Sequence, residues 1–303
     1  MRSSNTFNLP QKFTRTISGM FAGKGEQWLA KLPEIVGGIA GEWSLTVAKP
    51  FANLSYHYVV ECTCEDGSEA VLKIGFPEEK LEFFSEIKML RLFDGAGAVR
   101  LLRASESNYA MLLEKLTPGE GLGEFCLKDD AKAVRIAAGI LKKIVRKAPA
   151  DSGFHLLKDW IGGFGKAENT QFPARIIKKA RDFFSELTRD DKQKFLLHGD
   201  FHHENILSAA REPFLVIDPK GLIGWIGYDI GVFLNNHRNW LDGLPDRQEK
   251  LNDAVAQFAE TFEIEEQSLR KWAFVQMVLS AWWTFEENGS WRGELSRAEE
   301  WQV

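Results

Sequence analysis

Cysteine is scarce in this chain: Cys62, Cys64 and Cys126 are the only three in 303 residues. An odd number without a repeated C-x-x-C spacing excludes a disulfide framework and favours a reducing compartment. Long apolar runs are also missing. Met1 to Gln11 has no signal-peptide core, and no stretch approaches the ~20 apolar residues that cross a bilayer, so the expected location is cytoplasmic, without a membrane partner. Nor does one sign of charge dominate. Lys and Arg total 38 against 43 Asp and Glu, a formal net charge of −5, which gives no global pull toward nucleic acid or anionic lipid. Internal repeats and low-complexity tracts are absent.

What is present is enough apolar material for an enzyme-sized body. At 44% hydrophobic residues, a chain of this length buries roughly three-quarters of its unfolded surface, and about 150 residues per domain suggests two domains or one two-lobed unit. The tryptophans are skewed: eight of the ten follow residue 150, so the two halves differ in construction.

The first third reads as strands plus one helix. Ser55 to Glu61 and Glu69 to Gly75 are β-rich runs joined across Glu65-Asp66-Gly67, a hairpin pattern. From Glu78 to Phe93, apolar Phe83, Phe84, Ile87, Leu90 and Phe93 recur at helical spacing. Tyr109 to Glu114 is another short strand-like run, after which Pro118, Gly119, Gly121 and Gly123 cluster as breakers. The lobe boundary is expected there, giving lobes 1–113 and 114–303. Beyond it the pattern is mostly helical, over Ala131–Lys147, after Pro173 to Leu187, and over Gln267–Glu287. A non-helical island is expected at Phe195–Phe233.

That island carries the chemistry. His198-Gly199-Asp200 leads to Asn205, and Phe214 to Ile217 leads to Asp218-Pro219-Lys220-Gly221. If the two apolar runs pair as a hairpin centred near Arg211, Asn205 and Asp218 meet at its open end, with Asp200 in the entering loop. Oxygen-only ligands suit Mg²⁺. In phosphoryl transfer one Asp serves the accepting hydroxyl, while an Asn and a second Asp hold the metal. Asp200 is therefore assigned as base, with Asn205 and Asp218 as Mg²⁺ ligands.

The first lobe should supply a cation. Lys73 lies inside the apolar strand Ala70 to Ile74, where an unpaired charge is costly. Glu86 falls within the apolar arc of the following helix instead of on its solvent side with Lys88. Two misplaced charges of opposite sign predict an ion pair that positions Lys73 on nucleotide phosphates; Glu82 is the second candidate partner.

Together, the His198-Gly199-Asp200…Asn205 run, the Ile217-Asp218-Pro219-Lys220-Gly221 motif, the lysine strand and the acidic helix resemble the aminoglycoside phosphotransferase family, in its streptomycin and hydroxyurea resistance kinase branch. The resemblance spans roughly Asn53 to Trp283. It implies an α+β, protein-kinase-like bilobal fold, with a small β-rich N-lobe, a larger mostly helical C-lobe and ATP at the cleft. Adenine would bond to backbone around Leu113 to Lys115. It also implies transfer of the γ-phosphate to a hydroxyl of a small molecule, an aminoglycoside such as streptomycin. The chain departs from the family at the phosphate flap. Lys49 to Tyr56 has no glycine, so Asn53, Leu54 and Ser55 must serve through amides or hydroxyls. Asp229 matches a family aspartate whose role is structural.

Other readings compete. His198, His202 and His203 suggest zinc, but no Cys or distant His joins them in a recognisable ligand pattern. A protein kinase would need an activation segment, and Asp218 to Asp229 has no Ser or Thr. A nucleotide-binding module without turnover, or a kinase for another metabolite alcohol, remains the alternative. Trp282 and Trp283 read as helix core, whereas Glu286, Glu287, Asp242 and Asp246 are candidates for an acidic acceptor pocket.

Overall fold

A computed structural model describes residues 9–77, 80–149, 153–167, 170–190 and 194–303. The chain divides into two compact units, one reaching to Gly95 and resuming over Val99–Leu116, the other comprising Ala96–Ala98 and Thr117–Val303.

The first unit is an antiparallel sheet with a helix on each face. Its elements are α1 (Gln11–Trp43), β1 (Thr46–Pro50), β2 (Tyr58–Thr63), β3 (Glu69–Ile74), α2 (Lys80–Phe93), β4 (Leu101–Ser105) and β5 (Ala110–Glu114). The strands lie in the order β1-β2-β3-β5-β4. Alternation assigns the faces: Tyr58, Val60 and Cys62 of β2 and Ala70, Leu72 and Ile74 of β3 pack into one core with Trp28, Leu32, Val36, Ile39 and Trp43 of α1, a helical spacing of three and four. Truncating Leu32 to Ala in such a site costs about 2–5 kcal/mol.

Helix α1 corrects the expectation of strands plus one helix in the first third. It breaks at Ala22, whose backbone is non-helical (φ 45°, ψ −132°), and carries Pro33 inside it. The β2–β3 hairpin forms as expected, closed by Asp66 Oδ1 accepting from the Ser68 N–H at 2.9 Å and the Ser68 hydroxyl at 2.6 Å. Two residues of the expected flap, Lys49 and Pro50, instead end β1. Of the expected helix from Glu78, residues 78 and 79 lie outside the described residues.

The second unit holds β6 (Pro118–Gly121), α3 (Leu122–Cys126), α4 (Asp130–Ile144), β7 (Arg146–Lys147), β8 (His155–Leu156), α5 (Leu157–Gly162), α6 (Ala174–Leu187), β9 (Phe195–Leu197), β10 (Ile206–Ala209), β11 (Phe214–Val216), β12 (Leu222–Gly224), α7 (Gly227–Trp240), α8 (Arg247–Phe262), α9 (Glu266–Asn288) and α10 (Arg292–Glu299). Helices dominate, around two small sheets ordered β11-β10-β6 and β7-β9-β12-β8. Sequence periodicity locates α4, α6 and α9. The side chain of Asp129 caps α4 by accepting from the Lys132 N–H at 3.1 Å. The island expected to be non-helical to Phe233 ends earlier, because α7 begins at Gly227. Its glycines read as breakers but are contact points: a Cβ at Gly227 would come within 2.2 Å of Trp272 in α9. Among the described residues no helix is long and apolar enough to cross a membrane.

Candidate active site

The second unit carries a candidate site that grows from two loops at adjoining strand ends. β10 and β11 pair as Ile206↔Val216, Leu207↔Leu215 and Ser208↔Phe214, which centres the hairpin on Arg211 as the spacing predicts. The Ile217 N–H then donates to the Asn205 carbonyl at 3.0 Å, so Asn205 and Asp218 stand at the same open end. The loop bearing Asp200 leaves β9, and the loop bearing Asp218 enters β12, which pairs with β9 through Leu222↔Leu197.

These loops are irregular backbone held from beneath. Gly199 has φ 85°, and Asp218 adopts a left-handed φ of 58°, a conformation that costs a non-glycine residue of order 1–3 kcal/mol. A Cβ on Gly199 would lie 3.0 Å from the Lys220 Cβ. Asp229, fully buried in the first turn of α7, accepts from the His198 and Gly199 N–H groups, each at 2.8 Å. Burial pushes its carboxyl up to about 7 against the opposing pull of those two bonds. His198 Nδ1 accepts from the Asp200 N–H at 3.3 Å, so Nε2 carries the proton and donates to the Ile217 carbonyl at 2.9 Å. Burial lowers its pKa to about 4, keeping the ring neutral at physiological pH. The Lys220 N–H closes the other side by donating to the His198 carbonyl at 2.7 Å.

Within this frame, the Asp200 side chain is 38% exposed and lies 3.5 Å from His202 Nε2. Burial raises its pKa, but His202, Lys220 and His198 outweigh that and hold it below the usual carboxylate range. Asn205 is buried, and its amide nitrogen faces the Asp200 carbonyl at 2.9 Å, Asp200 Oδ2 at 3.4 Å and His202 Nε2 at 3.1 Å. Its carbonyl oxygen is thereby left for a cation. With the Asp218 carboxylate, 32% exposed and 3.8 Å from Lys220 Nζ, this is an oxygen-only donor set of the kind a hard divalent ion takes, so the residues fit Mg²⁺. His202 is a partner of Asp200 that metal-ligand spacing does not reveal; its place two residues on in sequence is the signal that points to it.

The first unit carries a buried ion pair of its own. Lys73 on β3 and Glu86 on α2 have side chains only 7% and 5% exposed, with Lys73 Nζ 2.9 and 2.7 Å from the two carboxylate oxygens of Glu86. Glu82, the other candidate, is exposed. The glycine-free loop after β1 is anchored by Leu54 in the core, with Asn53 and Ser55 exposed on either side. Leu113 is buried in β5. Lys115, just past that strand, pairs with Glu69 at 2.8 Å and Glu61 at 3.3 Å. Three carboxylates suggested for an acidic pocket have partners within the chain: Asp242 with Arg247, Asp246 with Lys250 and Glu286 with Lys166. Trp282 is core, whereas Trp283 is 38% exposed.

The fold of a small sheet unit and a mostly helical unit is that of the protein-kinase-like small-molecule kinases. Choline kinase LicA from Streptococcus pneumoniae superposes with a TM-score of 0.65 at 13% identity, covering 89% of this chain and 98% of that one. At that identity the likeness concerns the fold. Sequence then narrows the class: the profile of the aminoglycoside/hydroxyurea antibiotic resistance kinases matches residues 43–289, and the chain belongs to that family. A streptomycin 6-kinase of Streptomyces glaucescens is 27% identical over 96% of this chain and 95% of its own length. A hydroxyurea phosphotransferase of Kitasatospora aureofaciens is 29% identical over 87% of this chain and 76% of its own. Membership of a kinase family implies use of ATP.

Proposed function

We propose that this chain transfers the γ-phosphate of ATP, with Mg²⁺, to a hydroxyl of an aminoglycoside, streptomycin being the first acceptor to test. The observation that carries the reading is the meeting of Asp200, Asn205 and Asp218 at one end of the β10–β11 hairpin, in a loop fixed by a buried aspartate. The relatives named streptomycin 6-kinase support the acceptor class because they match over nearly the full length of both chains.

In this reading the first unit is the nucleotide-binding lobe and the second is the catalytic and acceptor-binding lobe. Lys73, held by Glu86, contacts phosphate oxygens of ATP. Backbone of the Asn53–Ser55 loop covers the phosphates, and backbone at Leu113–Lys115 bonds adenine. Asn205 and Asp218 hold the metal through the Asn carbonyl oxygen and the Asp carboxylate. When bound, Mg²⁺ neutralises phosphate charge and orients the leaving group. Asp200, kept ionised by His202 and Lys220, orients the acceptor hydroxyl and takes its proton at a carboxylate oxygen. Neutral His198 keeps that carboxylate in place through the backbone.

The test is incubation of purified protein with Mg·ATP and a panel containing streptomycin, other aminoglycosides and hydroxyurea, with products read by mass spectrometry. A phosphorylated aminoglycoside with matching ADP supports the reading. Phosphorylation of hydroxyurea alone would reassign the acceptor, and no product from any member would refute it.

A further inference from the structure

A second group of reactive side chains lies in the helical unit and has no part in the reading above. Cys126 ends α3, His203 opens the 3₁₀ turn His203–Asn205, and His237 lies in the last turn of α7. His203 and His237 are fully buried and Cys126 is 4% exposed. One ligand atom from each, the Cys sulfur and a ring nitrogen of each His, lie within 4.8 Å of one another. His203 Nε2 is 3.1 Å from His237 Nδ1, and Cys126 Sγ is 3.8 Å from that same Nδ1. In a tetrahedral zinc site with bonds of about 2.0–2.1 Å to nitrogen and 2.3 Å to sulfur, the N···N edge is about 3.3 Å and the S···N edge about 3.6 Å. The observed separations are those of two ligand edges.

The surroundings agree with a metal. His237 Nε2 lies 3.0 Å from Asp130 Oδ1, a charge contact without hydrogen-bond geometry that favours the proton on Nε2 and so leaves Nδ1 to face Cys126 and His203. Once binding has deprotonated the Cys126 thiol, its thiolate and the Asp130 carboxylate carry two negative charges that a dication balances in a place where uncompensated charge is costly. The His203 Nε2 that faces His237 Nδ1 is the nitrogen available to the cation; His203 Nδ1 is buried without a hydrogen-bond partner whether or not Nε2 ligates.

We infer that Cys126, His203 and His237 form a structural site for a borderline-soft divalent cation of the zinc type, with Asp130 orienting His237. Binding deprotonates the Cys126 thiol, and that proton leaves to solvent. The cation ties α3 and α7 to the turn whose third residue is Asn205, two helices and one functional loop joined at a single point. The site does not depend on the proposed acceptor.

Cobalt tests it on the full chain, introduced by refolding from urea with Co²⁺ as the only metal. The expected result is about one equivalent of tightly held metal, with a thiolate-to-cobalt charge-transfer absorption in the near ultraviolet. The band should survive Cys62→Ser with Cys64→Ser and vanish in Cys126→Ser. If Cys126→Ser does not refold, the wild-type and Cys62/Cys64 double-variant spectra decide. A wild type without the band, or a band lost in the double variant, would overturn the assignment, the former leaving a hydrogen-bonded cluster only.

Discussion

The two units set charged groups in place by opposite means. In the first, Lys73 and Glu86 project from a regular strand and a regular helix, and their geometry follows from burying both charges together. In the second, Asp200 and Asp218 sit on irregular backbone with left-handed residues at Gly199 and Asp218, held by a buried aspartate that accepts two backbone N–H groups. A buried pair is tied to stability because either charge alone is an uncompensated charge in the core. A half-exposed carboxylate on a braced loop can change with little effect on the fold. Substitutions should therefore damage folding first in one unit and chemistry first in the other.

The largest expected effect comes from the loop. Asp200→Asn is expected to lower kcat by about 10²–10⁴-fold, the usual worth of a positioned acid–base group, with little change in the thermal midpoint. A comparable drop in midpoint would break the contrast. Next is the ion pair. Lys73→Met strands Glu86 and should cost about 3–5 kcal/mol in denaturant titration. Lys73→Met with Glu86→Leu should recover most of that stability and none of the activity, which separates the structural from the chemical duty of the pair.

Comparable in size but spread over a wide pH window is the slope from Asp229. Its pKa of about 7 in the fold exceeds the ~3.9 of an unfolded aspartate. Below about pH 4 both states hold the proton and the group is silent. Between about 4 and 7 only the folded state holds it, so this group's contribution falls as pH rises and is constant above. Thermal melts across that window should show the decline in wild type and a flatter profile in Asp229→Asn; equal slopes would contradict it. The smallest effect is expected at Lys115, whose partners Glu69 and Glu61 lie at the surface. Lys115→Ala should leave both the midpoint and the KM for ATP unchanged, because only its backbone is assigned to adenine.

Much of the site is legible in the sequence because it violates local patterns. Lys73 stands in an apolar strand and Glu86 in an apolar arc, and each anomaly points to the other. The β10–β11 register follows from two apolar runs about one turn, which places Asn205 opposite Ile217 and so beside Asp218. The fold is less legible where glycine serves packing. α1 contains Gly19, Gly23, Gly25, Gly37, Gly38, Gly41 and Pro33, all of low helix propensity, yet Trp28, Leu32, Val36, Ile39 and Trp43 seat it on the sheet, a tertiary override of local propensity. In α7 the glycines that disguise the helix are those that admit Trp272 of α9. The Cys126–His203–His237 group was hidden for a different reason. Its members come from three elements far apart in sequence, so no ligand spacing links His203 to Cys126 and His237.

The central claim is that Asp200 serves an acceptor hydroxyl while the rest of the loop and the ion pair hold the nucleotide. The most direct measurement is ADP release from Mg·ATP with and without streptomycin, in wild type and in Asp200→Asn. Stimulation by streptomycin in wild type, its loss in Asp200→Asn and unchanged ATP affinity in both are predicted. Equal streptomycin-dependent release by the two proteins would contradict the account.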